Sequence, residues 1–218
     1  MPVLPMFPLE HALLPGEPLQ LNVFEPRYRA LVADVVAGDG RFGVVLIARG
    51  SEVGGGDDRC DVGTVTGLLG HRSHASGQIR LACRGLDRIR VTRWLDDDPY
   101  PRAEVQMWPD EPAGTTADWQ WARSALTDAL VQAQELYDRI AERSGRPTAT
   151  LAAPEDLPPT EYTFRTAAML PLGAADRYAI LTARGPRERV AAMTRALDDV
   201  LPLLRDRLTP PTAPPNSP

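Results

Sequence analysis

The chain has 218 residues, 43% apolar and 24% charged, with a formal net charge of −5. It can bury a core without covalent staples, and its charge has the wrong sign for bulk attraction to nucleic acid or anionic lipid. All 24 basic residues are arginine, so a Walker A phosphate loop, Ser-Lys catalysis and Schiff-base chemistry, which all need a lysine amine, are excluded within it.

In chain order, VLPMF (3–7) and LQLNVF (19–24) read as strands with a turn at Pro15-Gly16. The segment EPRYRALVADVVAGDG reads as a helix: Pro26 suits the first helical position and Gly38 the stop, with Tyr28, Leu31, Val32, Val35 and Val36 on one face. RFGVVLIA (41–48) reads as a buried strand and SEVGGGDDR (51–59) as a loop. CDVGTVTGLLGHR, QIRLACRG, DRIRVTRWL and YPRAEVQMW follow as four strand-like runs, which with one short helix suggest a small closed or half-closed β-barrel.

Character changes near 109–114. Trp119, Ala122, Leu126, Leu130, Ala133, Tyr137 and Ile140 recur at spacings of three and four, the stripe of a helix of roughly thirty residues, about 45 Å long. The stripe reads mainly as internal core, with a homodimer seam as the lesser reading. A Pro-rich connection (Pro154, Pro158, Pro159) leads to TEYTFRTAAML, then AADRYAILTA, then a last helix with Val190, Met193, Leu197, Val200, Leu201 and Leu204. Pro202 inside that pattern predicts a kink. The expected class is α+β, strands first and helices second, divided as 1–112, 115–208 and a disordered tail at 209–218.

Candidate chemistry is sparse. His71 and His74, with Cys60 and Cys83 nearby, do not have the spacing of a tetrahedral zinc site, since strand residues three apart point to opposite faces. Ser73 and Ser76 beside His74 lie in a turn that would not hold a nucleophile in place. No catalytic residue, metal or cofactor is expected. Two cysteines are too few for a disulfide framework and fit a reducing, cytoplasmic setting, with neither a signal peptide nor a membrane span. The arginine-rich runs put Arg72, Arg80, Arg84, Arg88, Arg90 and Arg93 on adjacent strand segments, which read first as a solvated, ion-paired face and otherwise, through Arg80, Arg84, Arg88 and Arg90, as a binding face for acidic peptide or RNA. Residues 1–114 carry twelve arginines against sixteen acids and few aromatic residues placed to stack bases, which disfavours nucleic acid. NVFEPRYR (22–29) reads as a rigid strand-to-helix junction: Phe24 anchors the strand end in the core, Glu25 caps the helix or pairs with Arg27 or Arg29, Pro26 fixes φ, and Tyr28 lays its ring on the barrel.

The order of LPMFPL (4–9), LLPGEPLQLNVFEPRYRALV (13–32), GTVTGLL (63–69), RLACRGLDRIRV (80–91) and MLPLGAADRYAIL (169–181) resembles the N-terminal substrate-binding domain of Lon proteases. The resemblance covers roughly 1–208 and implies a PUA-like β-barrel followed by a helical bundle. Phe24, Glu25, Pro26, Arg27 and Tyr28 match the family's junction motif. A full Lon continues into ATPase and Ser-Lys protease modules, so this chain reads as a standalone, non-enzymatic Lon substrate-binding domain protein. The resemblance implies a module for unfolded or tagged polypeptides, acting as adaptor or holdase beside a separate protease. The binding surface would be the arginine face or the cleft between barrel and bundle. The alternative is an RNA-binding PUA-like protein using Arg88 and Arg90.

Overall fold

The computed structural model describes residues 1–52, 56–145, 150–151, 156–170 and 172–208. Six strands come first: β1 (Val3–Leu9), β2 (Pro18–Val23), β3 (Arg41–Arg49), β4 (Asp58–Ser73), β5 (Ile79–Leu95) and β6 (Arg102–Met107), with helix α1 (Pro26–Ala37) between β2 and β3. Four helices follow: α2 (Thr116–Ser144), α3 (Pro159–Met169), α4 (Ala174–Thr182) and α5 (Pro186–Leu208). The class is α+β. The expected tail at 209–218 and Pro154 lie outside the described residues.

Strand pairing runs β2-β5-β4-β3-β1-β6, and β5 also pairs with β6. Hydrogen bonding is therefore continuous round β5, β4, β3, β1, β6 and back to β5, with β2 added on the first half of β5. β1 is parallel to β3 and antiparallel to β6. All five strands of the ring contribute to one apolar cluster: Met6, Val45, Val65, Ile89, Val91, Ala103 and Val105.

β5 differs from expectation. QIRLACRG and DRIRVTRWL form one 17-residue strand, not two. Gly85, the end of the first of those runs, permits close backbone approach: a Cβ at that position would lie 2.5 Å from the Leu14 carbonyl oxygen. β5 itself carries the extra residue: between the pairs Thr66–Gly85 and Thr64–Arg88, Leu86 and Asp87 oppose Val65 alone.

The 22–29 junction is architectural in part only as expected. Pro26 opens α1, and Gly38 ends it with its N–H on the Asp34 carbonyl. Tyr28 is buried and stacks on Phe7 at 4.3 Å between ring centroids. Burial pushes its hydroxyl up to about 12. Glu25 makes no side-chain cap and instead bonds Arg27 at 3.2 Å. Phe24 corrects the expectation: it is 57% exposed, because β2 alternates and its inward positions are Leu19, Leu21 and Val23.

Thr115 and Asp118 form a reciprocal capping box at the start of α2, and Gly145, in the left-handed region at φ 65°, ends it. Ala122, Leu126, Leu130 and Ala133 of the expected stripe are buried, and Trp119, Tyr137 and Ile140 are partly so. They pack with Tyr162, Phe164, Ile180, Met193 and Leu197 from the later helices, and with Ala12, Leu14 and Val62 from the strand half. Helices and sheet therefore share one core. α5 runs through Pro202 to Leu208.

Candidate functional site

The four arginines proposed from sequence do not form one face. Arg80 and Arg84 are exposed on the first half of β5. Past Gly85 the alternation changes phase, and Arg88 turns inward, 4% exposed. Arg90 is exposed, with its guanidinium 4.2 Å from the centre of the Trp108 ring.

Arg88 belongs to a buried clamp. Its Nη2 donates to Asp110 Oδ1 at 2.5 Å, and its Nη1 donates to the carbonyls of Leu181 and Ala183. Arg189 of α5, fully buried, reaches the same carboxylate at 2.6 and 3.1 Å and bonds Thr163 Oγ1 at 2.7 Å. Thr160 Oγ1 donates to Asp110 Oδ2 at 2.7 Å. One carboxylate on the segment after β6 thus ties β5, α3 and α5 together. Phe164 lies 3.5 Å under the Arg189 guanidinium, and Trp108 lies 4.5 Å from that of Arg88. Burial depresses the proton affinity of Arg88, to about 10, and that of Arg189, with Asp110 opposing the effect in both. A second link runs from α4: Arg177 donates to the Ala12 carbonyl at 3.1 Å and to Glu17 at 2.5 Å.

The clamp floors a cleft of about 750 Å³ between sheet and helices. Arg84, Leu86, Met107, Trp108, Phe164 and Arg165 supply its walls, and Pro15, Pro109 and Pro158 its rim. Met107 is 48% exposed there. An open cleft with apolar, aromatic walls and arginines at the lip suits an extended chain with apolar side chains. A second groove, about 650 Å³, lies between the starts of α2 and α5 under Trp121.

The other candidate residues are scattered. His71, Ser73, His74 and Ser76 are exposed at the end of the β4–β5 hairpin, whereas Cys83 is buried in β5 and its thiol is pushed up to about 11 by burial. Cys60 is half-buried, its thiol raised by burial, and it bonds Tyr178. Among the described residues no three His, Cys, Asp or Glu side chains gather as a metal site would require.

A profile of the ATP-dependent protease La (LON) substrate-binding domain matches residues 3–199. The chain belongs to this family. It is 23% identical over 209 residues, 93% of its length, to a Lon protease of Syntrophus aciditrophicus, and 32% identical over 111 residues to Lon protease 2 of Myxococcus xanthus. It spans only 26% and 13% of those two proteins. Among solved structures it is similar to a Lon N-terminal domain protein from Xanthomonas campestris, at 26% identity and a TM-score of 0.60, covering 89% of this chain and 98% of that one. The N-terminal domain of a Mycobacterium avium complex Lon protease shares the fold at 15% identity and a TM-score of 0.61, covering 91% of this chain and 99% of that one. The matched region is the Lon substrate-binding domain, and no helix among the described residues is long and apolar enough to cross a membrane.

The parts of the site that sequence reasoning missed are Asp110, Trp108 and Arg189. Arg189 left a signal: it lies four residues before Met193 and eight before Leu197, on the apolar stripe of α5. A buried arginine there requires a carboxylate. Trp108 and Asp110 follow the last strand with no pattern to mark them.

Proposed function

We propose that this chain is a non-catalytic Lon-type module that binds extended or unfolded polypeptide in the cleft between sheet and helices. The observation that carries this reading is the cleft itself. Met107, Leu86 and Trp108 stay accessible over a floor held rigid by the Arg88–Asp110–Arg189 clamp. We read the closed ring of five strands, with its internal apolar cluster, as a PUA-like barrel spanning 1–112, and the helices at 115–208 as the bundle that forms the cleft's other wall. An adaptor or holdase role beside a separate protease follows from such a site. The unpaired thiols of Cys60 and Cys83 fit a cytoplasmic setting.

The test is binding of a fluorescent, reduced and carboxymethylated protein that cannot refold, measured by anisotropy. Wild-type chain binds with weak salt dependence, and Met107→Asp weakens binding roughly tenfold without shifting the melting temperature, because Met107 is already half-exposed. Equal binding by wild type and Met107→Asp rejects the cleft. Failure to bind any unfolded chain, together with steeply salt-dependent binding of RNA, would move the assignment to an RNA-binding PUA-like protein. Arg88→Ala cannot decide between these readings: Arg88 is 4% exposed, so its loss disturbs the fold first.

A further inference from the structure

The outward face of β2, β5 and β4 meets the cleft only at Arg84, on the cleft's wall, and takes no part in the clamp. Register places Asn22 opposite Arg80 and Arg80 opposite Arg72, so these three side chains form one row across three strands. Pro18, Arg84 and Gly67 form a second row, and Gln20, Ala82 and Gly70 lie between the two. The stretch 62–86 contains no aspartate or glutamate, and neither does β2. Arg72, Arg80 and Arg84 are exposed. Among the described residues none of the three makes an ion pair; Arg80 bonds Asn22 Oδ1 at 3.3 Å and Arg84 the Gly16 carbonyl at 3.2 Å. Two arginines directly opposite each other repel. On a chain of net charge −5 this is a concentrated, uncompensated positive face.

Beside it runs an open strand edge. β2 pairs only with β5 among the described residues. The bond from the Gly85 N–H to the Glu17 carbonyl turns odd-numbered residues of this segment toward β5. The N–H groups of Gln20 and Asn22 and the carbonyls of Pro18, Gln20 and Asn22 therefore point away from the sheet, and all three residues are exposed. Phe24, 57% exposed, stands just past the strand's end.

We propose that the β2 edge and the arginines beside it bind an extended, acidic segment of a partner protein by strand addition. The added strand pairs its backbone with Gln20 and Asn22. Arg80 and Arg84 sit four residues apart, about 13 Å at strand rise, so acidic side chains at i and i+4 of the guest match the two rows, with a small residue between them facing Gln20 and Ala82. RNA phosphates would use the same arginines but not the edge.

The experiment uses the full chain and a fluorescein-labelled peptide, Val-Glu-Val-Ser-Val-Glu-Val. Two N-methylated forms of it carry the methyl groups on one or the other alternating set of amides. The parent peptide binds, and methylation of one set abolishes binding while methylation of the other does not. Arg80→Glu lowers affinity roughly tenfold. Arg72→Thr lowers it about two- to fivefold. Circular dichroism melting shows both variants folded, and Arg80→Gln gives an intermediate loss should Arg80→Glu melt early. Met107→Asp binds this peptide as wild type does, which separates the edge from the cleft. The proposal is overturned if both methylated peptides bind like the parent, if the charge variants change nothing, if the peptide does not bind, or if oligouridylate binds more tightly than the peptide.

Discussion

Removing the Asp110 carboxylate is the sharpest test of how the two halves of the fold are joined. In Asp110→Ala the guanidiniums of Arg88 and Arg189, with side chains 2% and 0% exposed, lose their shared counter-charge. Neither can reach water, and neither sheds its proton near neutral pH. Breaking a buried ion pair from one side costs about 3–5 kcal/mol, against a total stability of about 5–15 kcal/mol for a typical domain. The exposed pair Arg184–Glu188, at 66% and 45% side-chain exposure, is the internal control, and Glu188→Gln should leave the urea midpoint where it is in the wild type. Urea unfolding followed by circular dichroism measures both. Asp110→Ala should also broaden the transition as sheet and helices begin to unfold separately. Replacing the whole clamp with apolar residues, Arg88→Met, Asp110→Leu and Arg189→Met together, should restore much of the loss, because no charge is then left buried. If Asp110→Ala costs under about 1 kcal/mol, the clamp is not what couples the halves.

Tyr28→Ala removes a buried ring stacked on Phe7 and should cost about 3–5 kcal/mol in urea unfolding, whereas Phe24→Ala, at an exposed position, should stay within about 0.5 kcal/mol. Arg72→Thr relieves repulsion with Arg80 across the strands and should raise stability by about 0.2–1 kcal/mol, read as a higher urea midpoint at low salt and a smaller gain at high salt. Burial raises Cys83 from 9.0 to about 11 and Tyr28 from 10.0 to about 12, so the unfolded chain loses these protons first as pH rises. The stability that these neutral groups contribute is complete below pH 9 and falls away up to about pH 12. Thermal melts across that range, with tyrosinate absorbance as the second readout, check the sign, and Cys83→Ala should flatten the lower part of the decline.

Much of the fold was legible because its signals are local. The α1 boundaries follow from Pro26 and Gly38, and the α2 stripe from spacings of three and four residues. The site was less legible because it depends on phase and on distant partners. Arg80, Arg84, Arg88 and Arg90 are all even-numbered and read as one basic face of two adjacent strand runs. The irregularity beside Gly85, where Leu14 comes close from about seventy residues away in sequence, turns Arg88 and Arg90 to the other face from Arg80 and Arg84, and there the carbonyls of Leu181 and Ala183 cover Arg88. Phe24 failed for a similar reason: its hydrophobicity suggested the core, but the parity of β2 leaves it outside. Asp110 could be inferred only after Arg189 was recognised as an arginine on an apolar stripe.

The position of β1 imposes an order on folding during synthesis. β1 is made before the other five strands and lies between β3 and β6, and its antiparallel partner, Arg102–Met107, is made after the other five. Val3, Leu4 and Pro5 must therefore wait about a hundred residues for Glu104, Ala103 and Arg102, a long loop to close and a slow step by topology. Until then an apolar leading segment has only β3 to pair with. A nascent chain of this protein is thus itself, for a time, an unfolded polypeptide with an exposed strand, and pausing of translation before residue 107 would prolong that state.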